Sequence, residues 1–190
     1  ASVDAPKGSL IVFNPNSSSC PVLVEFDLPE GMEHPMIYGD GYSVACQKDG
    51  AKAMFVAENL PPKGYRTYRL CDGATDVPAG GMTVTPQRLE NNFFSIALNE
   101  KGQFTSVYDK SAGREVLQNG KAGNVLMSYE DKPHNWDAWD VNNYYVEKAW
   151  EVDDLLSAEV EGNGPVRSCL KLTYRYLDST IIERIYLYSG

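Results

Sequence analysis

The chain is poor in the residues from which metal sites and nucleophilic sites are usually built. Its 190 residues include 2 histidines and 4 cysteines. The cysteines, Cys20, Cys46, Cys71 and Cys169, are scattered and form no Cys-x-x-Cys pair. This spacing argues against a zinc site, so we expect no metal ligand set in this chain. The thiols are predicted to be reduced and buried, although one disulfide among the first three remains an alternative.

Positive charge and long apolar runs are also scarce. Lysine and arginine number 17 against 26 aspartates and glutamates, for a net charge of −9. Nucleic acids and anionic membrane surfaces are bound through basic patches, so neither is expected as a partner. No apolar run approaches the roughly 18 residues of a membrane span. The sequence also lacks a P-loop, an internal repeat and a sustained helical period.

Short alternating runs instead predict an all-β fold. The first half contains apolar or alternating segments at residues 9–13, 22–28, 54–56 and 65–70, with turn residues between them. Short strands at this spacing are typical of a small antiparallel β-sandwich, which we place at residues 1–74. A stretch rich in small, turn-forming residues follows and is predicted to be a linker at residues 75–84.

Longer strands are predicted in a second domain, residues 85–190. Residues 94–98 alternate and are followed by a turn at 99–102 and a return strand from Phe104. Residues 166–176 and 180–188 form a second long pair around a turn at Asp178. Such strands suit a large two-layer sheet with one face on the core. If residues 180–188 lie at an open sheet edge, edge-to-edge pairing into a dimer is expected.

The most unusual segment is residues 129–140, which combines carboxylates, tryptophans and one histidine. A segment that needs both water and flat apolar contacts suits the rim of a sugar site better than a core. Within it the substrate-rim candidates are Asp131, Trp136, Asp137, Trp139 and Asp140. The alternative is a structural loop whose tryptophan rings close the edge of the sandwich.

Two further interpretations of these carboxylates are weaker. A retaining glycosidase needs two carboxyl groups about 5–5.5 Å apart, and Asp137 and Asp140 are the candidates within the chain. On a regular strand their odd separation would send them to opposite faces. A calcium site built from Glu130, Asp131, Asp137 and Asp140 matches no standard loop spacing. We therefore expect no catalytic residue in this chain, and no hydrolysis by the chain alone.

Several motifs in a fixed order resemble glycoside hydrolase family 38 α-mannosidases, especially bacterial and cytosolic members. The central ones are Asp-Lys-Pro at 131–133 and Trp-Asp-Ala-Trp-Asp at 136–140. Flanking matches occur upstream at residues 12–15, 57–65, 106–110, 113–117 and 123–126, and downstream at 147–151, 164–167 and 178–181. The resemblance covers roughly residues 8–190. It implies a small β-domain followed by the start of a galactose-mutarotase-like supersandwich.

The resemblance also implies which functions lie outside this chain. In that family the zinc ligands, the nucleophile and the acid/base carboxylate belong to a preceding catalytic domain. The expectation is thus a non-catalytic piece of a retaining, cytoplasmic α-mannosidase, with zinc only in the parent. Its partners would be that catalytic domain and a mannose-containing oligosaccharide. The alternative is a free-standing carbohydrate-binding module in which Trp136 and Trp139 are stacking platforms.

Overall fold

The computed structural model describes residues 5, 6, 8–73, 81–136 and 138–189, and they form an all-β structure, as predicted. Its only helical element is a short 3-10 helix, Asn143–Glu147. Nothing helical in these residues is long and apolar enough to cross a bilayer. All four cysteines are free thiols. The strands are β1 (Ser9–Phe13), β2 (Cys20–Asp27), β3 (Pro35–Gly39), β4 (Tyr42–Val44), β5 (Cys46–Asp49), β6 (Lys52–Leu60), β7 (Tyr65–Asp72), β8 (Thr83–Thr85), β9 (Arg88–Glu90), β10 (Phe94–Leu98), β11 (Phe104–Asp109), β12 (Arg114–Glu115), β13 (Met127–Tyr129), β14 (Ala149–Glu151), β15 (Asp154–Asn163), β16 (Arg167–Tyr176) and β17 (Ser179–Tyr188).

The chain divides into two compact units. The first contains residues 1–82 together with 163–168 and 188–190, and the second contains residues 83–162 and 169–187. Most of the predicted linker, residues 75–80, lies outside the described residues. Thr83 and Val84, which we assigned to its end, belong to β8. The proposed limits of 1–74 and 85–190 therefore stay a prediction.

The first unit is a small antiparallel sandwich. One sheet has the order β1-β7-β3-β4 and the other β2-β6-β5. The inward side chains of both sheets meet in one core, built around Ile37, Phe55, Ala57, Leu60 and Tyr68. Alternation explains the packing, because successive side chains of a strand point to opposite faces of its sheet. Strand β2 follows this rule, with Val22, Val24 and Phe26 packed against the core.

A distant segment of the chain also belongs to the first unit. The Gln47 side chain accepts hydrogen bonds from the backbone N–H of Val166 at 3.1 Å and of Arg167 at 2.8 Å. Its amide nitrogen donates to the Arg167 carbonyl at 2.9 Å. The Arg167 guanidinium pairs with Glu25 at 3.0 Å and Asp49 at 2.8 Å. One glutamine thus fixes the backbone of a segment about 120 residues away.

The second unit is built from three antiparallel sheets. A five-stranded sheet has the order β12-β11-β10-β9-β8, a three-stranded sheet has the order β15-β16-β17, and β13 pairs with β14. The deepest side chains come mainly from β16, where Leu170, Leu172 and Tyr174 are at most 1% exposed. Strand β17 lies at one edge of its sheet. The predicted hairpins at residues 94–109 and 166–188 are both present.

Candidate functional site

The predicted sugar-rim segment is a long excursion between two paired strands of the second unit. Strands β13 and β14 pair in register from Met127↔Glu151 to Tyr129↔Ala149. The backbone N–H of Glu130 donates to the Lys148 carbonyl at 3.0 Å and extends this ladder by one bond. The residues between them leave the sheet. We call residues 131–140 the Trp/Asp loop.

Charged pairs close the base of the Trp/Asp loop. One Glu130 carboxylate oxygen lies 3.0 Å from the Lys132 ammonium, and the other lies 3.1 Å from that of Lys148. These hydrogen bonds, that of Lys132 first, hold the pKa of Glu130 below its ordinary value. Close to these ion pairs in the chain, the Tyr129 and Tyr145 rings meet edge to face, with centroids 5.3 Å apart. The loop therefore has a defined entry and exit.

A tight turn brings three of the five predicted site residues together. The Trp136 carbonyl accepts hydrogen bonds from the backbone N–H of Trp139 at 2.7 Å and of Asp140 at 3.0 Å. Asp131 lies earlier, before Pro133, and in the described structure no hydrogen bond or ion pair joins it to the other three. Asp137, the fifth candidate, lies outside the described residues, so its predicted role cannot be assigned a geometry.

Trp136 is held in an unusual backbone conformation. Its φ is +65°, in the left-handed region that bulky side chains rarely adopt. A residue held there costs about 1–3 kcal/mol, and such residues cluster at ligand clamps and active sites. The strain is not offset by burial of the ring, because 76% of Trp136 is exposed. Exposure and a positive φ together make Trp136 a functional candidate.

Trp139 is even more exposed, at 90%. Both tryptophan rings of the loop are therefore largely exposed to solvent. Asp131 and Asp140 are exposed as well. Neither carboxylate has an ion pair or a side-chain hydrogen bond to the described part of the chain. Two flat apolar faces and two free acceptors are therefore presented to solvent by the same loop.

Residues that follow the loop extend this surface and were not predicted. The 3-10 helix Asn143–Glu147 carries Tyr144 and Val146, which are 60% and 63% exposed. The His134 and Tyr144 rings meet edge to face, with centroids 6.4 Å apart. A hollow of about 220 Å³ lies beside them, lined by Glu130, Lys132, His134, Asn142, Tyr144, Tyr145, Glu147 and Lys148. The sequence signal that could have identified this surface is the adjacent pair Tyr144 and Tyr145. Tyr145 packs against Tyr129, whereas Tyr144 is largely exposed.

No metal centre accompanies these groups in the residues the structure describes. Within them, no group of three or more histidine, cysteine, aspartate or glutamate side chains could hold a metal ion. The calcium set considered from the sequence includes Asp137 and so is not fully described. The described groups of the Trp/Asp loop can stack against a flat ligand and accept hydrogen bonds.

Comparison with known proteins gives a consistent pattern. Residues 89–190 match the model of the "Glycosyl hydrolases family 38 C-terminal domain". The chain is 36% identical over 87 residues to alpha-mannosidase G of Dictyostelium discoideum, covering 45% of this chain and 8% of that protein. It is 37% identical over 59 residues to human alpha-mannosidase 2C1, covering 31% of this chain and 6% of that protein. The chain thus spans less than a tenth of each relative.

Solved structures agree with the fold. The crystal structure of an alpha-mannosidase from Enterococcus faecalis V583 superposes with a TM-score of 0.54 and 17% identity, covering 90% of this chain and 24% of that one. A family 38 glycosyl hydrolase structure from Enterococcus faecalis gives a TM-score of 0.56 and 14% identity, covering 89% of this chain and 24% of that one. At these identities the likeness concerns the fold.

Proposed function

This chain belongs to glycosyl hydrolase family 38 through that family's C-terminal domain, and from this premise we propose that it is a non-catalytic β-region of a retaining, zinc-dependent α-mannosidase. In this proposal it supports the catalytic domain and contributes the Trp/Asp loop to the rim of the sugar site. The family resemblance drawn from residues 131–140 and their flanks is confirmed. The substrate, the zinc ion and the stereochemical course belong to the proposal.

The observation that carries the rim assignment is the exposed, strained Trp136. A ligand that covers an exposed indole ring disrupts no packing, and removing the apolar face of the ring from water is favourable. The axial and equatorial C–H groups of a pyranose ring offer a matching flat apolar face. A backbone hydrogen bond joins Trp136 and Trp139 in one turn, so the loop offers two such faces close together in the chain.

The free carboxylates supply the polar part of recognition. Ionised carboxylates accept hydrogen bonds only, and a sugar hydroxyl can donate one. Asp131 and Asp140 have no partner in the described structure and therefore lose no internal contact when they accept one. The same acceptors would serve equally for basic groups of a catalytic domain that packs beside the loop. Zinc enters the proposal only through the family, and no described residue is assigned to it.

Cytoplasmic location is a further part of the proposal. It is supported by the four cysteines, which are all free thiols. Disulfides persist mainly in oxidising compartments, and reduced cysteines are normal for cytosolic proteins. Fractionation of cells producing the parent protein tests this point, and recovery of the activity in a secreted or organellar fraction would contradict it.

The rim assignment is tested by kinetics of the parent α-mannosidase. Trp136→Ala and Asp140→Asn should each lower kcat/KM by about tenfold, equivalent to about 1.4 kcal/mol of transition-state stabilisation. Trp150→Ala is the control, because Trp150 is a tryptophan that is 48% exposed but lies in β14, outside the loop. Unchanged kcat/KM in both loop variants, with only a lower melting temperature, would show the loop to be structural.

A free-standing carbohydrate-binding module is the second candidate. It is favoured by one observation, the exposure of Trp136 and Trp139 in the chain without any partner. Titration of the 190-residue chain with a mannose oligosaccharide separates the two functions. Saturable binding that Trp136→Ala and Trp139→Ala both abolish would favour the module. The absence of such binding, together with the kinetic loss above, favours the rim of a larger enzyme.

A further inference from the structure

A small cavity in the first unit is unrelated to the Trp/Asp loop. It has a volume of about 210 Å³ and is lined by residues of β4, β6 and β7 and of the distant segment of this unit. Drug-sized ligands usually occupy pockets of about 300–1,000 Å³, so this cavity suits a smaller molecule. A second hollow, of about 290 Å³, shares Val56, Glu58 and Ser189 with the first and continues it.

One polar group of the residues that line the cavity, the Tyr68 hydroxyl, has no hydrogen-bond partner in the described residues. Tyr68 is only 4% exposed, and its hydroxyl has no hydrogen bond to any described residue. No side-chain polar atom of the described residues is both sealed from solvent and unpaired, so the Tyr68 hydroxyl keeps some access to solvent, and Tyr68 lines the cavity. Burial raises the pKa of Tyr68, which keeps the phenol protonated and able to donate.

The Tyr68 ring is fixed in this position. It packs edge to face on Phe55, with ring centroids 4.9 Å apart. On its other side lies Gly39, where an added Cβ would stand 2.6 Å from two ring atoms. A glycine in a central strand weakens that strand unless close approach requires it. Here the missing side chain makes room for the tyrosine, so the hydroxyl is held at one place.

The remaining lining groups define the kind of ligand. Glu58 offers a carboxylate, Ser43 and Ser189 offer hydroxyls, and Tyr42 offers a half-exposed ring. None of the lining residues is a lysine or an arginine, so an anion would meet only negative charge. A hydroxyl both donates and accepts, and it can accept from Tyr68 while donating to Glu58.

We propose that this cavity, bounded by Tyr42, Glu58 and Tyr68, binds a small neutral polyol such as a single sugar ring or a short sugar alcohol. The ligand places one hydroxyl between Tyr68 and Glu58 and lies against the Tyr42 ring. The site is distinct from the Trp/Asp loop, and the proposal does not rest on the function proposed above.

The test is a titration of the 190-residue chain with sorbitol, followed by amide NMR shifts. Saturable shifts are expected at Ser43, Val44, Tyr68 and Val166. Tyr68→Phe and Glu58→Gln should each weaken the Kd at least fivefold. The matched controls, Tyr65→Phe in the same strand and Glu30→Gln, should leave it unchanged because neither residue lines the cavity. Trp136→Ala should also leave these shifts intact.

Several results would overturn the proposal. They are an absence of saturable shifts, shifts confined to other parts of the chain, or a Kd unchanged in both cavity variants. Preference for trimethylammonium over sorbitol would also overturn it, because that result identifies a cation site. Glu58→Gln keeps the test valid if Tyr68→Phe unfolds, since Glu58 is exposed and has no structural partner in the described residues.

Discussion

Two connections in the second unit, the turn at residues 99–103 and the Trp/Asp loop, use polar groups in opposite ways. In the turn, the Asn99 side-chain oxygen accepts hydrogen bonds from the backbone N–H of Lys101 and Gln103, both at 3.0 Å. Gln103 is buried, and its amide donates to Glu151 at 2.5 Å. In the loop, Asp131 and Asp140 have no described partner. The side chains of the turn form hydrogen bonds within the fold, whereas the Asp131 and Asp140 carboxylates of the loop are available to accept hydrogen bonds from elsewhere.

Backbone strain also differs between the turn at residues 99–103 and the Trp/Asp loop. Gly102 has a φ of +77°, which glycine tolerates without strain, and it lies under Tyr174. Trp136 has a φ of +65°, which a tryptophan adopts only with strain, and it is 76% exposed. Strain that improves packing is expected anywhere in a protein. Strain at an exposed ring supports the proposal that Trp136 contacts a group outside the chain.

The largest expected effect concerns the turn. Gly102→Ala should destabilise the chain by about 3 kcal/mol, because a Cβ there would lie 2.4 Å from the Tyr174 hydroxyl and 2.9 Å from a Leu172 methyl group. Gly113→Ala is the control, since it has a similar φ of +65° and nothing within 4 Å. It should cost about 1 kcal/mol. Equal losses in urea unfolding would show that packing above Gly102 is unimportant.

A second variant removes the polar centre of the same turn. Asn99→Ala should cost about 2 kcal/mol, because two backbone N–H groups lose their shared acceptor and Gln103 loses an amide contact at 3.0 Å. Asn99→Asp keeps the acceptor and should recover about half of that loss in the same unfolding experiment. A stability unchanged in Asn99→Ala would show that water replaces the side chain without cost.

Trp136→Gly gives the sharpest contrast between turn and loop. Glycine adopts the left-handed conformation freely, so the isolated chain should become more stable by about 1 kcal/mol. The parent enzyme should nevertheless lose about tenfold in kcat/KM, as for Trp136→Ala. Thermal unfolding of the chain and kinetics of the parent measure the two effects. A loss of stability in the glycine variant would refute the assignment of strain to Trp136.

Glu115 contrasts with the carboxylates of the Trp/Asp loop because it accepts several hydrogen bonds, and these should make the stability of the chain depend on pH in acid. Glu115 accepts hydrogen bonds from the Ser106 hydroxyl at 2.6 Å and from three backbone N–H groups at 2.8–3.0 Å. These bonds, that of Ser106 first, lower the pKa of Glu115 from 4.5 to about 2. Because the folded-state pKa is depressed, this stabilisation is complete above about pH 4.5 and is lost as the pH falls towards 2.

The variant Glu115→Gln tests this pH dependence. It should be less stable than the wild type at pH 7, and the difference should shrink between pH 4.5 and 2. Urea unfolding at a series of pH values measures it. A difference that stays constant over this range would mean that the lost contact is unrelated to ionisation of Glu115.

The smallest effect is expected at the sheet edge formed by β17. Its exposed side chains include Ile182 and Tyr186, at 52% and 43% exposure, and an apolar edge strand favours pairing with a second copy. A weak dimer is therefore predicted in sedimentation at high concentration. Ile182→Lys should shift the chain towards monomer, because inward or edge-placed lysines oppose strand pairing. A wild-type chain that is monomeric at millimolar concentration would contradict the prediction.

Apolar and alternating runs were enough to predict eight of the 17 strands in the described residues. Strands β1, β2, β6, β7, β10, β11, β16 and β17 all fall on segments identified from the sequence. Strand β3 was missed, although Ile37 at its centre is fully buried. It begins with Pro35 and ends with Gly39, two residues that normally argue against a central strand. Only the three-dimensional contact of Gly39 with Tyr68 explains why glycine is required there.

The candidate site was predictable in composition but not in geometry. The density of tryptophan and aspartate in residues 129–140 identified the segment from the sequence. The turn centred on Trp136, with its positive φ, could not be predicted because nothing in the residue type favours that conformation. The cavity beside Tyr68 was also missed, since its lining residues come from five separate stretches of the chain and share no motif.

The placement of the tryptophans has a spectroscopic consequence. All three, Trp136, Trp139 and Trp150, lie within a 15-residue stretch of the second unit and are 48–90% exposed. The sandwich core of the first unit contains phenylalanine and tyrosine instead. Selective excitation of indole therefore reports on the surroundings of one loop and its neighbouring strand. Its emission should change when a sugar or a partner domain covers the loop, whereas melting of the cores must be followed by circular dichroism.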